Sequence, residues 1–268
     1  MIFRVKKTKK TTAILNIPKL GKVKRVFLLI LHCFLNKNMA TILNIETSTD
    51  VCSVALTRDG EVVEHRENYD GHTHSTLLNV FIDEMLRYAK TREIAIDAIA
   101  VSIGPGSYTG LRIGLSEAKG LAFGLNVPLI GINTLKLMTV SVLFSEFYDD
   151  EVLYAPMIDA RRMEVYTAVY NQALEEQVEP TSMIVDEDSF KDLLEKTKIV
   201  FFGNGSDKVE KVLHHPNAIF KPRVTPVACD MLALAEKAFR EKDFIDVAYS
   251  TPLYLKEFQA TKSKKKVL

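Results

Sequence analysis

The sequence describes an α/β protein in which one mixed-sheet pattern is used twice, and three features carry that reading. From Thr41 onward the strand and helix signals follow the order β-β-β-α-β-α-β-α. After a charged link, Tyr148-Asp149-Asp150-Glu151, the strand pattern partly restarts. Ile45-Glu46 closes the first strand of one half, and Ile158-Asp159 closes the first strand of the other.

Residues 1–38 stand apart. They hold ten Lys or Arg and no acid, and they include the apolar run Val26–Leu35. That run is too short to span a bilayer and is followed by Asn36-Lys37-Asn38 rather than a small-residue cleavage site. We read Met39 as the natural start, with residues 1–38 a non-native or unstructured extension. A first lobe over 39–147, a second and reduced lobe over 148–255, and a basic tail over 256–268 complete the expected organisation.

The first lobe begins with strands at Thr41–Glu46 and Val51–Thr57. Asp59-Gly60 is a two-residue hairpin signal that returns the chain through a strand at Glu61–Glu67. A helix follows from His74 to Lys90. Its apolar residues Leu77, Leu78, Phe81, Ile82, Met85, Leu86 and Ala89 span a wider arc than one core contact needs. Strand Ala98–Ile103 then meets Gly104-Pro105-Gly106, and Ser107 or Thr109 can cap the next helix. In that helix Gly106, Gly110, Gly114, Ala118 and Ala122 recur every four residues and share one face. Each interior glycine costs about 1 kcal/mol against alanine, so the pattern predicts a second backbone close by. Arg112, Ser116 and Lys119 form the opposite stripe. Strand Pro128–Ile132 leads to a helix capped by Thr134 and running to Phe147.

The second half predicts strands at Val152–Asp159, Glu164–Tyr170, Glu175–Glu179 and Ile199–Gly203. Helices are predicted at Asp188–Glu195, Asp207–Leu213 and Ala228–Lys242.

Composition narrows the function. The 268 residues carry a formal net charge of +1 with 26% charged residues. Without the ten cations of the extension, 25 basic face 34 acidic residues, a net charge of −9. Such a body is a poor nucleic-acid binder by itself, because affinity for phosphates comes from neutralising them. Cys33, Cys52 and Cys229 form no Cys-x-x-Cys pair, which points to a reducing cytoplasm.

The chemistry-bearing motifs are sparse. Gly104-x-Gly106-x-x-x-Gly110 has the wrong spacing for a dinucleotide fingerprint, and no Gly-Lys-Ser/Thr follows it. His72 and His74 lie two apart, and His214-His215 precede Pro216, so neither pair has the spacing of a zinc-protease helix. Ser107 lies in Gly-Pro-Gly-Ser-Tyr, not Gly-x-Ser-x-Gly. No catalytic or metal residue is assigned.

Ile42-Leu-Asn-Ile-Glu-Thr-Ser-Thr-Asp50, His74-Ser-Thr-Leu-Leu78, Gly104-Pro-Gly-Ser-Tyr-Thr-Gly-Leu-Arg-Ile-Gly114, Gly131-Ile-Asn-Thr-Leu135, Ile158-Asp-Ala-Arg161 and Pro252-Leu-Tyr-Leu255 resemble the bacterial TsaB (YeaZ) family from Met39 to Leu255. The resemblance implies a two-lobed actin/Hsp70-like (ASKHA, ribonuclease H-like) fold with a duplicated mixed sheet. It implies a cytoplasmic, non-catalytic partner of TsaD and TsaE in placing threonylcarbamoyl on N6 of adenosine 37, in tRNAs reading codons that begin with A. ATP and metal are then expected in the partner subunits, with no cofactor here and no membrane. Contact with tRNA would run through the complex, and a homodimer could form when the chain is alone. Partner contacts are expected from His74, Leu77, Leu78, Phe81, Ile82, Met85, Gly110, Ile113, Gly114, Glu117 and Ala118. Glu46, Thr47, Ser48, Asp159 and Arg161 would mark a vestigial nucleotide cleft, since the loops 46–50 and 159–163 lack the glycines that let backbone N–H groups approach phosphates. The alternative is an autonomous ASKHA-type ATPase or glycoprotease-like hydrolase.

Overall fold

A computed structural model describes residues 40–256, apart from 72, 147, 149 and 150. The expectations for the extension, Met39, His72 and the tail beyond Lys256 fall outside the described residues. Among those residues no helix is long and apolar enough to cross a membrane.

The first sheet contains β1 (Ile42–Glu46), β2 (Cys52–Arg58), β3 (Glu61–Asn68), β4 (Ala98–Gly104) and β5 (Leu129–Asn133), in the order β3-β2-β1-β4-β5. Strands β1 to β3 are antiparallel neighbours, while β4 and β5 add in parallel beside β1. Asp59 and Gly60 both adopt positive φ (53° and 79°), the primed turn that matches strand twist. The second sheet repeats the plan with β6 (Val152–Asp159), β7 (Glu164–Tyr170), β8 (Glu176–Ile184), β9 (Lys198–Phe202) and β10 (Ala218–Lys221), in the order β8-β7-β6-β9-β10. The pairing senses repeat as well, so the duplication extends to register rules and not only to element order.

Both faces of the first sheet are covered, which is why β1 is buried along its whole length. Leu43, Ile45, Ile99 and Val101 face α1 (His74–Thr91) and α2 (Tyr108–Leu125). Their alternates Ile42, Ala98, Ala100 and Ile130 pack against Met231, Ala235 and Ala238, which belong to a 3₁₀ turn (Ala228–Met231) and α6 (Leu232–Glu241) at the far end of the chain. Helix α3 (Thr134–Ser145) works in the opposite sense. Leu135, Met138 and Val142 join the core of the second sheet with Tyr154, Ile158 and Phe202, while Leu137 joins the first. A helix apolar on all sides belongs between two layers. Each sheet is thus finished by a helix from the other half of the chain.

Local differences have local causes. Asn133, not Thr134, caps α3 by accepting from Lys136 N at 3.1 Å. The predicted helix 188–195 contracts to α4 (Lys191–Leu194), and 207–213 to α5 (Ser206–Val209). The final helix opens as a 3₁₀ turn whose first amide, Ala228 N, donates to Ser53 Oγ at 2.9 Å. Strand β10 was not expected, and β8 runs well beyond 175–179.

Candidate functional site

The small-residue face of α2 meets the backbone the spacing predicted, and it is the chain's own. A Cβ at Gly106 would lie 2.2 Å from Ser48 O, at Gly110 2.1 Å from Thr47 O, and at Gly114 2.2 Å from Thr47 Oγ1. The loop after β1 is thus pressed into α2. Thr47 Oγ1 donates to Gly110 O at 2.8 Å, and Ser107 N donates to Ser48 O at 2.7 Å. Ser107 caps α2 by accepting from Gly110 N. The Ser107 and Gly110 amides at this helix start are thus engaged within the chain.

Glu46, Thr47 and Ser48 are wholly buried in this seam. Glu46 Oε1 accepts from Ser48 N at 2.5 Å, while Oε2 has no partner among the described residues. Burial pushes the Glu46 carboxyl up to about 7, with the nearby Asp230 adding to the rise. The second acid of the cleft expectation sits differently. Asp159 is exposed, accepts from Arg161 N at 2.8 Å, and pairs with Lys208 Nζ at 2.5 Å. Its own amide donates to Asn204 Oδ1 at 2.9 Å, which fastens the loop to the turn after β9. Both acids are bonded locally. The 46–48 loop is buried against α2, whereas the 159–163 loop is largely exposed and is tied to Lys208 through Asp159 and the Arg162 carbonyl.

The open feature lies on the outer side of the same helices. A groove of about 340 Å³ runs between the first turns of α1 and the middle of α2. His74 and Leu78 form its floor, and Ser75, Asn79, Arg112, Ile113, Ser116 and Glu117 its walls. His74 is held there by Nε2 against Val51 O at 3.2 Å, a structural tie that fixes the start of α1. Arg112 bonds Tyr108 Oη, and Tyr108 stacks on Tyr254 with centroids 5.2 Å apart. Lys119 Nζ donates to Ala248 O and Ser250 O, so the returning C-terminal segment buttresses α2.

The expected contact residues divide. His74, Leu78, Ile113 and Glu117 line the groove, and Leu77 and Phe81 are half-buried on α1. Ile82, Met85, Gly110, Gly114 and Ala118 are buried within the chain and do not line the groove. Ser75, Asn79, Arg112 and Ser116 were missed as groove residues, although Arg112 and Ser116 had been placed on the solvated stripe.

Comparison with known proteins agrees with this architecture. A family model described as TsaD, tRNA N6-adenosine threonylcarbamoyltransferase, matches residues 65–267. The tRNA threonylcarbamoyladenosine biosynthesis protein TsaB of Escherichia coli (strain K12) is 32% identical, covering 82% of this chain and 96% of that protein. TsaB of Bacillus subtilis (strain 168) is 31% identical with the same coverage. A solved structure of YeaZ from Pseudomonas aeruginosa has a TM-score of 0.67 at 26% identity, covering 81% of this chain and 100% of that one. A tRNA N6-adenosine threonylcarbamoyltransferase from Nitratidesulfovibrio vulgaris (strain DP4) is 36% identical over 108 residues, 35% of this chain and 30% of that enzyme. The duplicated mixed sheet is thus of the actin/Hsp70-like kind, and the chain belongs to the TsaB (YeaZ) family.

Proposed function

We propose that this chain is a non-catalytic platform in the biosynthesis of threonylcarbamoyladenosine in tRNA, docking a TsaD subunit through the groove between α1 and α2, with TsaE joining the pair. The observation that carries the reading is the groove itself. Half-buried Ile113 and the Leu78 floor give an apolar centre rimmed by Arg112, Ser116 and Glu117. That composition of an apolar centre and a polar rim is what protein interfaces use. The likeness of the chain to a threonylcarbamoyltransferase supports a partner of related fold, for which two helices against two helices is the natural packing. Without that partner, two copies of the chain would meet on the same face.

The filled seam at Glu46–Ser48 supports leaving ATP and metal to the partner subunits. The acidic body supports contact with tRNA only through the complex, in the cytoplasm. Size-exclusion chromatography with light scattering, on the chain with and without TsaD, tests the docking. A heterodimer that is lost when Ser116→Arg fills the groove is expected. Unchanged assembly of that variant, or ATP turnover by the chain alone, would overturn the reading.

A further inference from the structure

One cluster of metal-ligating side chains lies away from the groove and the loops, on the outer strand of the first sheet. His65 and Glu67 occupy alternate positions of β3 and share a face. The 3₁₀ turn before α6 packs against that face. Its placement is fixed by β2, because Ser53, the register partner of Glu67, accepts from Ala228 N. The next residue, Cys229, therefore arrives beside Glu67, with Sγ 3.7 Å from Oε1. One ligand atom from each of His65, Glu67 and Cys229 lies within 4.8 Å of the others.

We propose that His65, Glu67 and Cys229 hold a zinc ion that staples the turn before α6 to the edge strand. Imidazole, carboxylate and thiolate together suit zinc and disfavour magnesium or calcium, which prefer oxygen alone. A tetrahedral shell with bonds of about 2.0–2.3 Å spaces its ligand atoms roughly 3.3–3.8 Å apart. The sulfur–carboxylate edge already meets that spacing. His65 is exposed, so its ring is free to close the remaining gap. Tyr69 donates its hydroxyl to Glu67 Oε2 at 2.6 Å, which orients the carboxylate and leaves Oε1 for the ion. The charge also fits: Glu67 has no ion pair among the described residues. Three protein ligands leave a fourth position to water.

The test uses the full chain, stripped with a chelator and then titrated with zinc by calorimetry and with cobalt by absorption. One equivalent is expected, with a thiolate-to-cobalt charge-transfer band that Cys229→Ala abolishes and Cys33→Ser leaves intact. His65→Ala, at an exposed position that leaves the fold undisturbed, and Tyr69→Phe should each weaken zinc by about ten- to a hundredfold. Absence of the band, affinity unchanged in His65→Ala, or binding lost only in a His214→Ala/His215→Ala double variant would overturn the assignment.

Discussion

Glu46 shows how much one residue at a strand end can carry. Its carboxyl is fully buried, and its pKa rises from the ordinary 4.5 to about 7. In the unfolded chain it ionises at the ordinary value, so between those two points the folded state binds more protons than the unfolded state. Stability is therefore highest below about 4.5 and declines as pH rises to about 7, by roughly 3 kcal/mol for a shift of this size. Glu46→Gln keeps an acceptor for Ser48 N and removes the titration. Denaturant melts at pH 5 and pH 8 should show the variant gaining about 2 kcal/mol over the parent at the higher pH alone; an equal gain at both would assign the effect to packing. The glycines of α2 allow a second comparison. Gly110→Ala drives a methyl into Thr47 O and should cost about 3 kcal/mol, because a backbone atom must move. A Cβ at Gly120 meets nothing within 4 Å, so Gly120→Ala should gain about 1 kcal/mol from helix propensity. Thermal melts of the two variants read both signs within one helix.

At the level of elements, the sequence was most legible where local chemistry decides. Asp59-Gly60 specified its turn, and Ser107 its cap. The four-residue recurrence of small side chains in α2 announced a close backbone, yet nothing in the pattern says whether that backbone belongs to the same chain. It does: Gly110 and Gly114 are buried against Thr47, while Arg112 and Ser116 stand on the exposed flank. Strand β10 was hidden for another reason: Ala-Ile-Phe-Lys is too short to show alternation, and it forms only because β9 offers an edge. The same distinction shapes the interface prediction. Ser116 is exposed and touches no core, so Ser116→Arg should change stability by less than about 0.5 kcal/mol. Its long side chain should nevertheless cut pairing with TsaD at least tenfold, while Glu187→Arg, exposed on a loop of the second sheet, leaves pairing unchanged. Calorimetric titration of both variants separates occlusion of the groove from a general effect of charge.

The whole molecule is held by exchange of covers between its halves. The β1-β4-β5 face with Ile42, Ala98, Ala100 and Ile130 has no lid until α6 returns from the end of the chain, and α3 has no seat until the second sheet forms. The segment after α6 tightens the exchange: Ile245 N donates to Leu129 O, Leu253 N to Ile103 O, and Lys256 reaches Glu164 on the second sheet. Sequence reading places a boundary at 147/148 from the charge and turn residues that cluster there. Which helix covers which sheet depends on contacts between residues far apart in sequence, and apolar helices such as α3 carry no label for their partner. A fragment covering 40–147 should therefore fail to give the near-ultraviolet circular dichroism of ordered tyrosines. Fragments 40–147 and 148–256, mixed during refolding, should recover that signal, since the missing lids are then supplied in trans. A first fragment with native-like dichroism and a cooperative melt by itself would show that the exchanged helices are dispensable to its sheet.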